Sequence, residues 1–353
     1  MNFIITIAYV VLIPILWISI VRLLWEARVN ADEVHYAPTA DGYEIALYRY
    51  RPSKREKDVE PVILCHGLGS NHTCYTPGPF NSLAKFLADE GFDVFTIDLR
   101  GRGLSSKPNS RRGKTLDENW TFDDYVTYDL PAVIKYVRRE TRSEKINWVG
   151  HSMGGMVIYA YLQQHPDGGG VKCATAISSP GNMTRVKQYK FVSKIAPLFL
   201  RGKIFHSREL VRLIAPFSYI VPYEKFGMKR GYVPWIAANC VSNTSTNVMR
   251  QFRHWAMNTT FCNNDGSMVY SEGFHKIKTP LMTMVASGDF IAHPADILYV
   301  AERLNGVQHR HVFFSKKKGS IGHYDHNSII MGEPAQKEVF PKVAEWIREH
   351  SAG

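Results

Sequence analysis

The chain has 353 residues, 45% of them hydrophobic and 21% charged, enough apolar material for one large core and too much for a disordered, collagen-like or low-complexity protein. A polytopic membrane protein is excluded as well, because only one stretch is apolar for long enough to span a bilayer. Forty-three Lys and Arg against 32 Asp and Glu leave a net charge of +11, which favours anionic surfaces such as a membrane face. No helix-turn-helix, zinc finger or RNP-like segment accompanies that charge, so nucleic acid is not expected as a partner. Five cysteines (Cys65, Cys74, Cys173, Cys240 and Cys262) without a CxxC pair argue against a disulfide framework or a structural zinc site, although a Cys240–Cys262 bridge stays open.

Residues 1–25 read as a transmembrane anchor. Phe3 to Val21 run nineteen residues without a charge, and Leu23, Leu24 and Trp25 continue the run beyond Arg22. At ~1.5 Å per residue such a helix crosses the ~30 Å hydrocarbon layer. A cleaved signal peptide would want a basic leading region and a small-residue cleavage site, whereas only Met1 and Asn2 precede the run. Arg22 and Arg28 follow it, which by the positive-inside rule places the rest of the chain in the cytoplasm. Five Asn-x-Ser/Thr triplets, at Asn71, Asn119, Asn182, Asn243 and Asn258, are instead compatible with a glycosylating lumen, so the side of the membrane stays open.

Val34–Pro38 and Tyr43–Tyr50 flank the turn signal Asp41-Gly42 and predict a hairpin. Six short buried-strand runs follow: 62–65, 94–97, 146–149, 174–177, 281–285 and 312–314. Between most of them lie amphipathic stretches at 80–89, 125–139 and 156–164, the second preceded by Thr121 and Asp124 at capping-box spacing. Such alternation predicts an α/β fold with a mostly parallel sheet flanked by helices. The rhythm breaks over residues 181–279, a stretch rich in Met, Phe, Tyr and Trp that includes Phe217 to Ile220 and Trp255. It is too long for a loop and is read as a helical cap. The expected organisation is an anchor (1–25), a first core part (33–180), the cap (181–279) and a second core part (280–351).

The strongest local chemistry is Gly150-His151-Ser152-Met153-Gly154, set between a predicted strand and a predicted helix. In a G-x-S-x-G elbow the tight turn strains the serine backbone, and the glycines remove Cβ atoms that would clash. Ser152 is thereby presented above the sheet at the positive end of a helix. His66-Gly67-Leu68-Gly69 ends the strand at 62–65, and backbone N–H groups there could face a developing oxyanion. Asp98 to Ser105, reading D-x-R-G-x-G-x-S, looks like a structural turn in which an acid–base pair holds the loops around the site.

In the order and spacing of these three markers the chain resembles the serine α/β-hydrolases, over nearly everything after about residue 33. Within that superfamily it is most similar to the acid-lipase branch, and more distantly to polyhydroxyalkanoate-synthase-type hydrolases. The branch-like features are Tyr128-Asp129-Leu130-Pro131-Ala132 and the spacing Asp289…Pro294…Asp296. The synthases carry cysteine at the elbow where this chain has Ser152, which favours hydrolysis over polymerisation. The resemblance implies a triad in the order Ser152, Asp289, His323, with Asp296 and His326 as competitors for the last two places, and an oxyanion hole made by the N–H groups of Leu68 and Met153. It implies no cofactor. His309, His311, His323 and His326 lack an HExxH pattern or a carboxylate frame, so no metal is expected either.

The expected protein is therefore a membrane-anchored serine hydrolase that cleaves carboxylic esters of lipid or other apolar acyl substrates. An acyltransferase using the same acyl-enzyme is the alternative, as is a non-catalytic binding protein on a hydrolase fold. Acyl chain length, leaving group and oligomeric state are not legible.

Overall fold

The computed structural model describes residues 12–13, 15–21, 23–24, 29–54, 59–77, 81–106, 118–185, 203–215, 227–228 and 232–351. The predicted hairpin forms from β1 (Glu33–Pro38) and β2 (Glu44–Tyr50), paired antiparallel. The Thr39 hydroxyl donates to Asp41 Oδ1 at 2.6 Å and accepts the Tyr43 N–H at 2.8 Å, while Gly42 takes φ +91°, a value glycine adopts without a Cβ penalty. The strands β3 (Val62–Cys65), β4 (Val94–Asp98), β5 (Ile146–His151), β6 (Val171–Ile177), β9 (Leu281–Ala286) and β10 (His309–Phe314) complete an eight-stranded sheet in the order β1-β2-β4-β3-β5-β6-β9-β10. All pairings from β4 to β10 are parallel. The central runs are apolar throughout because helices cover both faces.

One face carries α2 (Leu130–Thr141) and α3 (Met153–Gln164), the other α1 (Leu83–Asp89) and α9 (Ala335–Ser351), each packed into its own buried cluster. Helix α1 starts at Leu83 because the Ser82 hydroxyl accepts the Lys85 N–H at 3.1 Å; Phe80, the expected start, lies outside the described residues. Ahead of α2, Asp124 Oδ2 accepts the Thr121 N–H at 2.6 Å, as the capping-box spacing predicts, and a π-helical turn over Tyr125–Asp129 follows. Strand β10 begins three residues earlier than its apolar run suggests. It is an edge strand, half-exposed over most of its length, so His309, Arg310 and His311 are accommodated beside β9.

Between β6 and β9 the described residues contain the two-stranded pairing of β7 (Ile204–Phe205) with β8 (Thr244–Ser245), and the helices α4 (Ser207–Ile214), α5 (Tyr232–Asn239) and α6 (Thr246–Asn258). Trp255 of α6 is fully buried, its ring 5.1 Å from Phe122 and 4.9 Å from Phe261, with its indole N–H donating to Cys262 O at 2.9 Å. It therefore anchors the cap to the core. The aromatic run at 217–220 lies outside the described residues.

The expected membrane span lies in part outside the described residues, and among the described residues no helix is long and apolar enough to cross a membrane. The described residues between Leu12 and Leu24 are helical. There the Trp17 indole donates to Leu213 O at 3.0 Å, and Val21 is buried with Ala215 and Ala238. All five cysteines are reduced and buried, so Cys240 and Cys262 do not pair. Of the Asn-x-Ser/Thr asparagines, Asn71 is buried, its amide donating to Asn239 O at 2.7 Å and to Ser242 Oγ at 2.9 Å, and Asn182 is buried too.

Candidate active site

Ser152 sits between β5 and α3 with φ +53° and ψ −120°, a left-handed conformation that costs a non-glycine residue about 1–3 kcal/mol and persists only where surrounding packing imposes it. The packing is close. A Cβ on Gly150 would lie 2.3 Å from the backbone of Gly154, and a Cβ on Gly154 would lie 2.1 Å from Cys65 O. These contacts explain why α3 starts with two poor helix formers, Gly154 and Gly155, and why periodicity alone places its start three residues late. The Ser152 N–H donates to Ile177 O at 2.9 Å, tying the elbow to β6.

The loop after β3 runs directly over this serine. A Cβ at Gly67 would stand 3.0 Å from Ser152 Cβ and 3.4 Å from its Oγ. Leu68 lines the same cavity as Ser152, and Met153 occupies the first position of α3. Buried Arg102 holds this loop: its Nη1 donates to Gly67 O at 3.1 Å and Ser70 O at 3.0 Å, and its Nη2 to Thr244 Oγ1 of β8 at 2.8 Å. The turn at 98–105 is thus structural, but its acid and base do not pair with each other. Arg100 bonds Asp129 and Asp41, while Asp98 accepts from the His72 N–H at 2.8 Å and from the Tyr48 hydroxyl.

Asp289 follows β9 and is buried, with Oδ1 accepting the N–H groups of Ile291 at 3.0 Å and Ala292 at 2.7 Å. Burial pushes its carboxyl up, but the adjacent His326 and the Ala292 amide outweigh that and hold it below the usual carboxylate value. Asp296 is buried in a different role. Its carboxylate accepts from Thr184 and from the Arg185 N–H at 3.1 Å, fastening the chain where it enters the cap.

The imidazole on Asp289 belongs to His326, whose Nδ1–H donates to Oδ2 at 2.9 Å. The expectation of His323 in that place is corrected by this contact. His323 is half-buried beside Gly288 and does not line the cavity that His326 shares with Ser152. The loop's own bonds decide between the two. Tyr324 is buried against Phe314, with its hydroxyl on Glu338 Oε2 at 2.8 Å, and Asp325 Oδ1 caps the N–H groups of Asn327 at 3.0 Å and Ser328 at 2.8 Å. So pinned, the chain turns His326 toward Asp289.

His151, the variable residue of the elbow, is buried with its Nε2–H donating to His326 O at 2.7 Å and its ring 4.8 Å from the His326 ring. Burial, and then the neighbouring His326, push its imidazole down to about 3, so it is neutral and suited to donate. The cavity above Ser152 holds about 340 Å³. Met156, Met183, Met249 and Phe252 make its walls greasy, and Arg253 from α6 adds a single guanidinium. Reading the sequence misses His151, Arg102 and Arg253. The Asp325…Ser328 spacing, a capping signal just ahead of a helix, is the clue that would have favoured His326.

Residues 60–201 match the family described as alpha/beta hydrolase fold. Human lipase member K is 24% identical across 87% of this chain and 85% of its own length. The lysosomal acid lipase/cholesteryl ester hydrolase of Rattus norvegicus is 34% identical over 40% of each chain. Among solved structures, an esterase from Rhodococcus sp. ECU1013 superposes with a TM-score of 0.57 at 18% identity, covering 90% of this chain and 99% of its own, a likeness of fold. With the elbow, the parallel sheet and these matches in place, the chain has the α/β-hydrolase fold and acid-lipase-like relatives.

Proposed function

We propose that the protein is a serine carboxylic-ester hydrolase acting on lipid or other apolar acyl esters, with Ser152 as nucleophile, His326 as base and Asp289 as its carboxylate partner. The observation that carries this reading is that a strained elbow serine and a carboxylate-bound imidazole line one Met-rich cavity. The names of the relatives, a lipase and a cholesteryl ester hydrolase, support the substrate class.

In this mechanism His326 Nε2 takes the Ser152 proton as Oγ adds to the ester carbonyl, and the Asp289 carboxylate on Nδ1–H stabilises the imidazolium. The N–H groups of Leu68 and Met153 face the resulting oxyanion, the latter at the positive end of α3. Collapse expels the alcohol with the proton from His326. Water, deprotonated by the same imidazole, then releases the carboxylic acid and restores the serine.

We also assign the N-terminal helix to the bilayer as an anchor. The apolar run of the sequence supports this, as do Leu12, Ile13, Leu16, Leu23 and Leu24, all exposed on a helix whose other side packs on the cap. Arg22 and Arg28 orient the catalytic part toward the cytoplasm.

A fluorophosphonate probe should label the detergent-extracted full chain, and Ser152→Ala should abolish labelling together with turnover of long-chain acyl esters. Equal labelling of the two proteins would overturn the assignment, and release of the protein from membranes by alkaline carbonate would overturn the anchor.

A further inference from the structure

Among the described residues four non-glycines take a positive φ. Two of them, Arg142 and Thr259, close α2 and α6 as ordinary left-handed helix caps. The third is the elbow Ser152, and the fourth is Ser178, at φ +51° directly after β6. Strand β6 lies between β5 and β9, with Ile177 paired to His151 on one side and to Met284 on the other. The strand ends therefore set Ser178 between Ser152 and the turn that carries Asp289. Its N–H donates to Met284 O at 2.8 Å, which fixes the main chain at that point. The neighbouring Ser179 uses its hydroxyl locally, on Ile177 O at 3.0 Å. The Ser178 hydroxyl is fully buried and completes no hydrogen bond of full geometry with any described residue. It lies against the Asp289 carboxylate, whose ionised form it favours.

We infer that Ser178 is a positioning residue of the triad, its hydroxyl donating to the Asp289 carboxylate and fixing the plane in which that carboxylate meets His326. This deepens the hydrolase reading and rests on it. The amides of Ile291 and Ala292 already hold Oδ1, whereas the bond from His326 Nδ1–H at 2.9 Å leaves Oδ2 a second lone pair. A buried donor without a full bond and a left-handed backbone at a non-glycine are both costly, and such features gather at functional sites, where the surrounding contacts impose them. Catalytic hydrogen bonds are commonly long at rest and tighten as charge develops, which accounts for the incomplete geometry of this one. Burial pushes the Asp289 carboxyl up, and the Ser178 hydroxyl acts with His326 and the Ala292 amide in the opposite direction. The titratable groups that face the carboxylate are His326 and, next to that ring, His151.

The test compares the wild type with Ser178→Ala and Ser178→Gly, each as the full chain in detergent. Alanine removes the hydroxyl and keeps the positive φ, whereas glycine removes the hydroxyl and the backbone strain together. In both variants kcat for a p-nitrophenyl ester should fall about tenfold or more with KM little changed, the size expected of a hydrogen bond to a charged group. The acid limb of the kcat/KM profile should also move to higher pH, because a carboxylate short of one donor is more basic and holds the imidazolium proton more tightly. A purely structural role would shift Tm and leave the pH profile in place, and Ser178→Gly would then recover wild-type kcat; either result overturns the inference. A second readout does not depend on turnover. The downfield proton NMR signal of the hydrogen between His326 Nδ1 and Asp289, identified by its loss in His326→Ala, should move in both Ser178 variants, and an unmoved signal overturns the inference. Should the alanine variant fail to fold, the unstrained glycine variant carries both readouts. Ester turnover that is the same with and without the Ser178 hydroxyl sinks this inference and leaves the hydrolase. A Ser178-dependent signal in a protein that cleaves no ester sinks the hydrolase and leaves the contact.

Discussion

Replacing His326 by alanine, with His323→Ala beside it, separates the two histidines that lie three residues apart. With His326 as the proposed base, His326→Ala should lower kcat by about four orders of magnitude or more, ~5.4 kcal/mol of transition-state stabilisation. The loop should nonetheless survive, because its anchors are main-chain or lie elsewhere: His151 bonds the carbonyl of residue 326, Asp325 caps Asn327 and Ser328, and Tyr324 stays on Glu338. Asp289 keeps the amides of Ile291 and Ala292 but loses the Nδ1–H at 2.9 Å, so a buried carboxylate becomes less compensated, at about 1–3 kcal/mol of stability. For a chain of this size that corresponds to a fall in Tm of several degrees. His323→Ala removes a half-buried ring that does not line the cavity, and kcat/KM should stay within about threefold of wild type. The assay is steady-state hydrolysis of a p-nitrophenyl ester, with fluorophosphonate labelling rates and added imidazole as a partial rescue of His326→Ala. Collapse in His323→Ala with turnover retained in His326→Ala would refute the reasoning.

Two further expectations follow from the same geometry. His66 and His151 are both fully buried and held at about 3 by burial, assisted by Arg102 in the first case and by His326 in the second. Below their ordinary value of ~6.5 the unfolded chain binds protons that the native state refuses, so stability present at neutral pH is lost as pH falls from ~6.5 toward ~3. Two such groups give a slope of ~2.7 kcal/mol per pH unit within that window, and a denaturant midpoint unchanged between pH 7 and pH 4.5 would contradict it. Arg102→Lys supplies one point charge in place of a fork that reaches Gly67 O, Ser70 O and Thr244 together. The loop over Ser152 should loosen, and kcat should drop roughly 10–100-fold with KM little changed; a variant that loses stability but keeps kcat would assign Arg102 to folding alone.

What could be read from the residues was whatever depends on near neighbours in the chain. The elbow is such a case, since Gly150, Ser152 and Gly154 must sit together for any tight strand-to-helix turn to form, and the buried strands announce themselves as short apolar runs. The hairpin at Asp41-Gly42 and the capping pair Thr121 and Asp124 were legible for the same reason. Asp289 was placed by its position after a strand, yet its distinction from Asp296 lies in partners 37 and 112 residues away, His326 for one and Thr184 for the other.

The choice of histidine was not local at all. Both candidates lie in one polar loop, and what selects His326 is the burial of Tyr324 against β10, the hold of Glu338 from α9 and the carbonyl bond from His151. Likewise the apolar run near the amino terminus is plain from composition, while its seat on Leu213, Ala215 and Ala238 of the cap is a matter of packing. Sequence by itself determined the α/β alternation, the tight turn at Ser152 and the long break between the fifth and sixth strand runs, because periodicity, glycine placement and short-range hydrogen bonds are properties of contiguous residues. The tertiary structure alone decided which imidazole meets Asp289, that Arg102 clamps the loop over the serine and that Arg253 enters the cavity, because each of these is a contact between segments whose separation along the chain carries no pattern.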